Sequence, residues 1–232
     1  VASITPVVVD PETTFLILNI TFNYDSSATT RTATDLGSLI GTTLQSYNTT
    51  NLNTFNAPFR HSQLTGLIDD TDISILMNTT TVTMGRLFTP TTTGSTSYTI
   101  NFNNAFYHPV DGYQNTIIAS TGFYINGGTT EYFFDDDGSG NLRIYSIVVG
   151  VRTYYSATAG IVDYTNGLIT INGVLISSVS SVDGVVSTQI RITALSDSND
   201  VIPVRNQLLE IDFVNTTISS KVDASATTGT GY

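Results

Sequence analysis

Phe15 to Tyr24, "FLILNITFNY", places Leu16, Leu18, Ile20, Phe22 and Tyr24 on one face and Asn19, Thr21 and Asn23 on the other. A period of two predicts a strand with one buried face. Pro11 stands just before it, where a missing N–H does least harm. The period then changes. In "TATDLGSLIGTTLQSYN", Leu36, Leu39, Ile40, Leu44 and Tyr47 recur at helical spacing. Thr32 or Thr34 stands where an N-cap is needed, and Asp35 suits the positive end of the helix dipole. Gly37 and Gly41 share a face and leave room for another element to approach closely. "NTTNLNTFNAPF" links to a second short helix, capped by Ser62, with Leu64, Leu67 and Ile68 inside and "DDTD" at its end. A strand pair is expected over Ile73–Phe88, around a polar middle.

"TPTTTGSTS", Thr89 to Ser97, has linker composition. Beyond it come the β-rich runs "SYTINF", "QNTIIASTGFYI", "TEYFF", "NLRIYSIVVGVRTYY", "LITINGVLIS", "STQIRITAL" and "LLEIDFVN". Asn166-Gly167 is a strong hairpin-turn signal, and Tyr164 can cover that turn. The expected class is α+β and β-rich. A β-α-α-β unit over 1–88 precedes a linker at 89–97, a mostly antiparallel β domain over 98–218 and a mobile tail over 219–232.

Composition narrows the function. Charged residues are 12% of the 232, about half the usual share. Uncharged, Thr- and Asn-rich surfaces of this kind suit proteins packed against neighbours. A net charge of −11 disfavours nucleic-acid backbones and anionic membrane surfaces. With 0 cysteines there are no disulfides and no thiolate metal sites. No apolar run approaches the roughly 18 residues of a membrane-spanning helix. The sequence begins at Val1 without a signal peptide pattern and is read as a processed or partial chain.

The richest candidate for chemistry is "EYFFDDDGSGNLRIY", Glu131 to Tyr145. Counted from Asp135, it offers a calcium loop Asp137, Ser139, Gly140 and Leu142 in register. Position 12, where a bidentate Glu belongs, is Ser146, and the flanks read as strands rather than helices. A β-hairpin fits better, with aspartates accepting backbone N–H bonds and Gly138 and Gly140 at positive φ. His61 and His108 have no partner ligands in register and read as structural or surface residues. There is no G-x-S-x-G elbow and no phosphate-binding glycine loop. Neither catalytic residues, nor a cofactor, nor a metal, nor a small-molecule substrate is therefore expected. In "NAFYHPVDGYQN", Phe106, Tyr107 and Tyr113 are the candidate interface residues, because loop aromatics often make contacts. They could equally fold back onto the sheet.

"FLILNITFNYD" and "LQSYNTTNLNTFNAPFRHSQLTGLIDDTDISI" together resemble the baseplate wedge ring proteins of T4-type contractile-tailed phages, which are related to baseplate J-like proteins. The acidic hairpin, "GIVDYTNGLITING" and "SNDVIPVRNQLLEID" extend the likeness in order to about residue 215. The resemblance implies a non-enzymatic building block of the virion's tail baseplate. Such proteins self-associate around the central hub, join wedges into a ring, contact other wedge and hub proteins, and help relay the switch for sheath contraction. Longer members have an extra N-terminal portion that helps build the wedge's helical core; the likeness is to their C-terminal portion, and either the rest lies outside this sequence or this is a shortened version. The alternative is a receptor- or glycan-binding domain of a tail fibre or adhesin, for which the loop tyrosines would serve as stacking platforms. A third reading, a glycosidase, needs Asp69, Asp70 or Asp72 to share a cleft with Glu131 or Asp163.

Overall fold

The computed structural model describes residues 12–181, 185–204 and 206–223. Pro11 lies outside them. Strand β1 runs Glu12–Tyr24, earlier in its start than the alternation indicated. Leu16, Leu18, Ile20, Phe22 and Tyr24 are all buried, as their period requires.

Helix α1, Ala33–Asn51, opens with a reciprocal cap. Asp35 N donates to Thr32 Oγ1 (3.1 Å) and Thr32 N donates to Asp35 Oδ2 (3.0 Å). Thr32, not Thr34, is thus the N-cap. Leu36, Ile40, Leu44 and Tyr47 form the buried stripe. Of the two glycines only Gly37 faces a neighbour: a Cβ there would sit 3.9 Å from Ile218 Cγ2, whereas Gly41 looks onto open space.

Helix α2, His61–Asp69, corrects two expectations. Ser62 lies inside the helix and does not cap it. The cap comes from Asp200, whose Oδ1 accepts from His61 N at 2.8 Å while Oδ2 holds Arg60 Nη1 at 2.8 Å. Leu64 and Ile68 are buried, but Leu67 is 40% exposed.

The expected strand pair is one strand, β2, Ile75–Phe88, antiparallel to β1 along most of its length. Its polar middle remains extended because the β1 ladder pairs it. Asn78 Nδ2 also ties it to α2, donating to Thr65 O (2.9 Å) and Asp69 Oδ1 (2.7 Å).

Short strands follow: β3 (Thr96–Asn101), β4 (Ile118–Ser120), β5 (Phe123–Ile125), β6 (Glu131–Asp136), β7 (Asn141–Val148), β8 (Val151–Asp163), β9 (Leu168–Val174), β10 (Ile176–Val179), β11 (Ile190–Leu195), β12 (Gln207–Ile211) and β13 (Thr217–Val222). They form two sheets, mostly antiparallel. The first has the order β12-β1-β2-β11-β4, and β13 also pairs β1. Both β12 and β13 run parallel to β1, one beside Glu12–Leu16 and the other beside Asn19–Tyr24. The β-α-α-β segment is thus completed by strands from the other end of the chain. Ser219–Val222, expected in the mobile tail, belong to β13; residues 224–232 lie outside the described residues.

The second sheet has the order β10-β5-β6-β7-β8-β9-β3. Leu175 alone separates β9 from β10, yet the two pair toward opposite ends of this sheet. The sheet must therefore curl until its ends approach. The sheets meet where Phe134 N donates to Ser120 Oγ at 2.8 Å, and one hydrophobic cluster runs through both.

Candidate functional site: an acidic hairpin and the ribbon above it

"FFDDDGSGNLRIY" is the β6–β7 hairpin. Its three consecutive aspartates have three different roles. Asp137 makes the turn, accepting from Ser139 N (2.8 Å), Asn141 N (3.0 Å) and Asn141 Nδ2 (2.7 Å). Burial pushes its carboxyl up, but the Asn141 and Ser139 bonds prevail and hold it below its ordinary value. Gly138 and Gly140 have φ of 72° and 93°. At Gly138 a Cβ would stand 2.0 Å from Tyr113 O, so only glycine fits.

Asp136 is a latch between sheets. Its Oδ1 accepts from Ile117 N (2.9 Å) and Ile118 N (3.0 Å), and its Oδ2 from Tyr164 Oη (2.9 Å). Burial, then the Asp136 charge, pushes the Tyr164 hydroxyl well above its usual range. His108 stacks flat on Tyr164 at 4.0 Å, and its Nε2 bonds Gly138 O at 2.8 Å.

Asp135 anchors the ribbon. It is 1% exposed and holds Arg143 through Nε (2.8 Å) and Nη2 (3.1 Å), and Arg152 through Nη1 (2.7 Å). The two guanidinium groups lie over Tyr154 and Tyr145, at 4.4 and 4.6 Å from the ring centroids. The hairpin oxygens are thus taken up by protein donors. Among the described residues no three His, Asp or Glu side chains converge as a metal site.

Above this root, β7 and β8 project as a two-stranded ribbon. β9 pairs β8 only over Gly160–Asp163, so among the described residues Val151–Ala159 has no strand on its outer edge. The ribbon turns at Val149-Gly150, with φ of 51° and 78°. Two positive φ values in a two-residue loop are the type I′ pattern, normally filled by Asn-Gly. Here the first position is a valine that is 97% exposed, flanked by the exposed Ile147, Val148 and Val151.

The expected interface trio divides. Phe106 is 2% exposed and packs edge-on against Phe102 at 5.2 Å, so it belongs to the core and presents no surface. Tyr107 and Tyr113 stack edge to face at 5.7 Å, both half-buried. The other candidates serve the framework. His61 Nε2 bonds Thr80 O at 2.8 Å, Asp69 holds Asn78, and Asp163 closes its turn on Asn166. Asp72 holds Arg31 at 3.1 Å. Asp72 lines its own shallow depression with Ser27–Thr30 and Ile73, where neither Glu131 nor Asp163 appears. The valine ribbon escaped sequence reading because "IVVGV" lacks the Asn-Gly signal and reads as an uninterrupted strand.

The acids and histidines named above brace the chain's own strands, and exposed aliphatic side chains stand on the projecting ribbon. Residues 12–87 match the sequence profile of the family baseplate structural protein gp6, C-terminal domain III. The matched residues are the β1-α1-α2-β2 segment, and the match puts the chain in the phage tail baseplate of the virion. No curated protein matches the chain.

Proposed function

We propose that this chain is a wedge subunit of the baseplate that self-associates, joins neighbouring wedges into a ring around the hub, and passes on the contraction switch. The observation that carries this reading is the gp6 domain match over residues 12–87. The exposed aliphatic ribbon supports it, since an apolar tip on a weakly charged surface gains from burial against a neighbour without desolvating many ions. Its partners are other copies and the other wedge and hub proteins, and its role is non-enzymatic. Tyr107 and Tyr113 remain secondary contact candidates, and 89–97 remains the proposed boundary between the gp6-like segment and the ribbon-bearing one. Phage made without this chain should yield tails lacking a closed baseplate ring in negative-stain images. Complete, infectious particles from such phage would refute the proposal.

A further inference from the structure

The ribbon tip has a counterpart on the same molecule. On the first sheet, Phe15, Leu87, Ile211, Phe213 and Val214 line an open apolar depression of about 380 Å³. Pockets that hold small molecules begin at roughly 300 Å³, so two valine side chains fit. Val214 and Phe213 are 82% and 40% exposed at the rim, so among the described residues nothing covers this surface.

Charge matches as well as shape. Between Ile144 and Val162 the ribbon's sole charged side chain is Arg152, which is 46% exposed and has one guanidinium nitrogen on Asp135. The depression carries Arg191 paired to Asp212 at 3.4 Å, together with Glu210, which has no ion pair among the described residues. One surface therefore has a cation to share and the other a carboxylate to receive it. The tip also holds a valine at positive φ where asparagine would be unstrained. An exposed apolar side chain kept in a strained turn suits a contact made outside its own fold.

We infer that the Val148–Val149 tip of one copy seats in the Phe15–Leu87–Phe213 depression of the next, with Arg152 facing Glu210. The inference rests on the self-association proposed above and names its two surfaces. They are different patches, so the contact is head-to-tail: each copy offers a tip and a socket, and repetition closes a ring or grows a filament.

Sedimentation velocity of the full chain over a concentration series tests it, with two variants. Val149→Asn blunts the tip while suiting the turn, and Val214→Asp charges the socket rim at an exposed position. Wild type is expected to form larger species as concentration rises. Each variant alone should associate at least tenfold more weakly. An equimolar mixture of the two should form a dimer and stop there, because one intact tip and one intact socket remain. A mixture that stays monomeric would mean a symmetric contact and overturn the inference. Val149→Asn associating like wild type would overturn it too while leaving self-association standing. Wild type monomeric at every concentration would sink both.

Discussion

Asp136 joins the two sheets through one buried carboxylate that holds Ile117, Ile118 and Tyr164. Replacing it with alanine strands two backbone N–H groups and a phenol. Asp136→Ala should therefore cost about 2–4 kcal/mol, at 1–3 kcal/mol per unsatisfied buried donor with some relaxation. A urea midpoint shift equivalent to under about 1 kcal/mol would show that the latch is dispensable. Other carboxylates act locally and set the response to acid. Asp200 is held below its ordinary 3.8 by Arg60 and the His61 N–H, and Asp72 chiefly by its Ser74 bonds. Asp35 is lowered by Thr32. A depressed value means the fold prefers the charged form, so this stability is complete above 3.8 and is lost as pH falls through the lower folded values. Urea midpoints should hold steady at pH values well above 3.8 and fall below it; a loss beginning near neutrality would contradict these assignments. The sequence could not assign roles to Asp135, Asp136 and Asp137. The letters are identical, and only the partners that the fold brings to each distinguish them.

At the scale of elements, the legible features were those whose cause is local. β1 and α1 were readable because each buries one face and so repeats at its own period. Features with distant causes were hidden. The α2 cap lies 139 residues from His61, so the nearer Ser62 looked like the better candidate. β2 looked broken because its polar middle interrupts the alternation, yet its register comes from β1. The β7–β8 turn was hidden because it uses Val-Gly. That choice has a measurable consequence. Val149→Asn should raise thermal stability by on the order of 1 kcal/mol, since it replaces a β-branched residue at positive φ with one that tolerates it. A lower melting temperature would show that the turn is not strained. At the neighbouring hairpin the sign reverses. Gly138→Ala should cost more than about 1 kcal/mol, because it forces a Cβ onto Tyr113 O at positive φ.

Over the whole molecule, the gp6-like segment depends on the far end of the chain. β12 and β13 pair β1 in tandem, and the break between them is stitched by Asp212 N to Leu16 O (2.9 Å) and Leu18 N to Thr216 Oγ1 (3.1 Å). Periodicity foresaw β1, but not that its outer neighbours would be parallel strands so distant in sequence. The same architecture sets the tip and the socket on different sheets, the ribbon on the second and the depression on the first, as a repeating head-to-tail contact requires. The proposed role is that of a building block of the baseplate ring. It is tested most directly by a small tag placed after Tyr232 and labelled electron microscopy of intact particles. Label in a ring at the end of the tail, around the hub, is the expected result. Label at fibre tips, or particles without label, would contradict it.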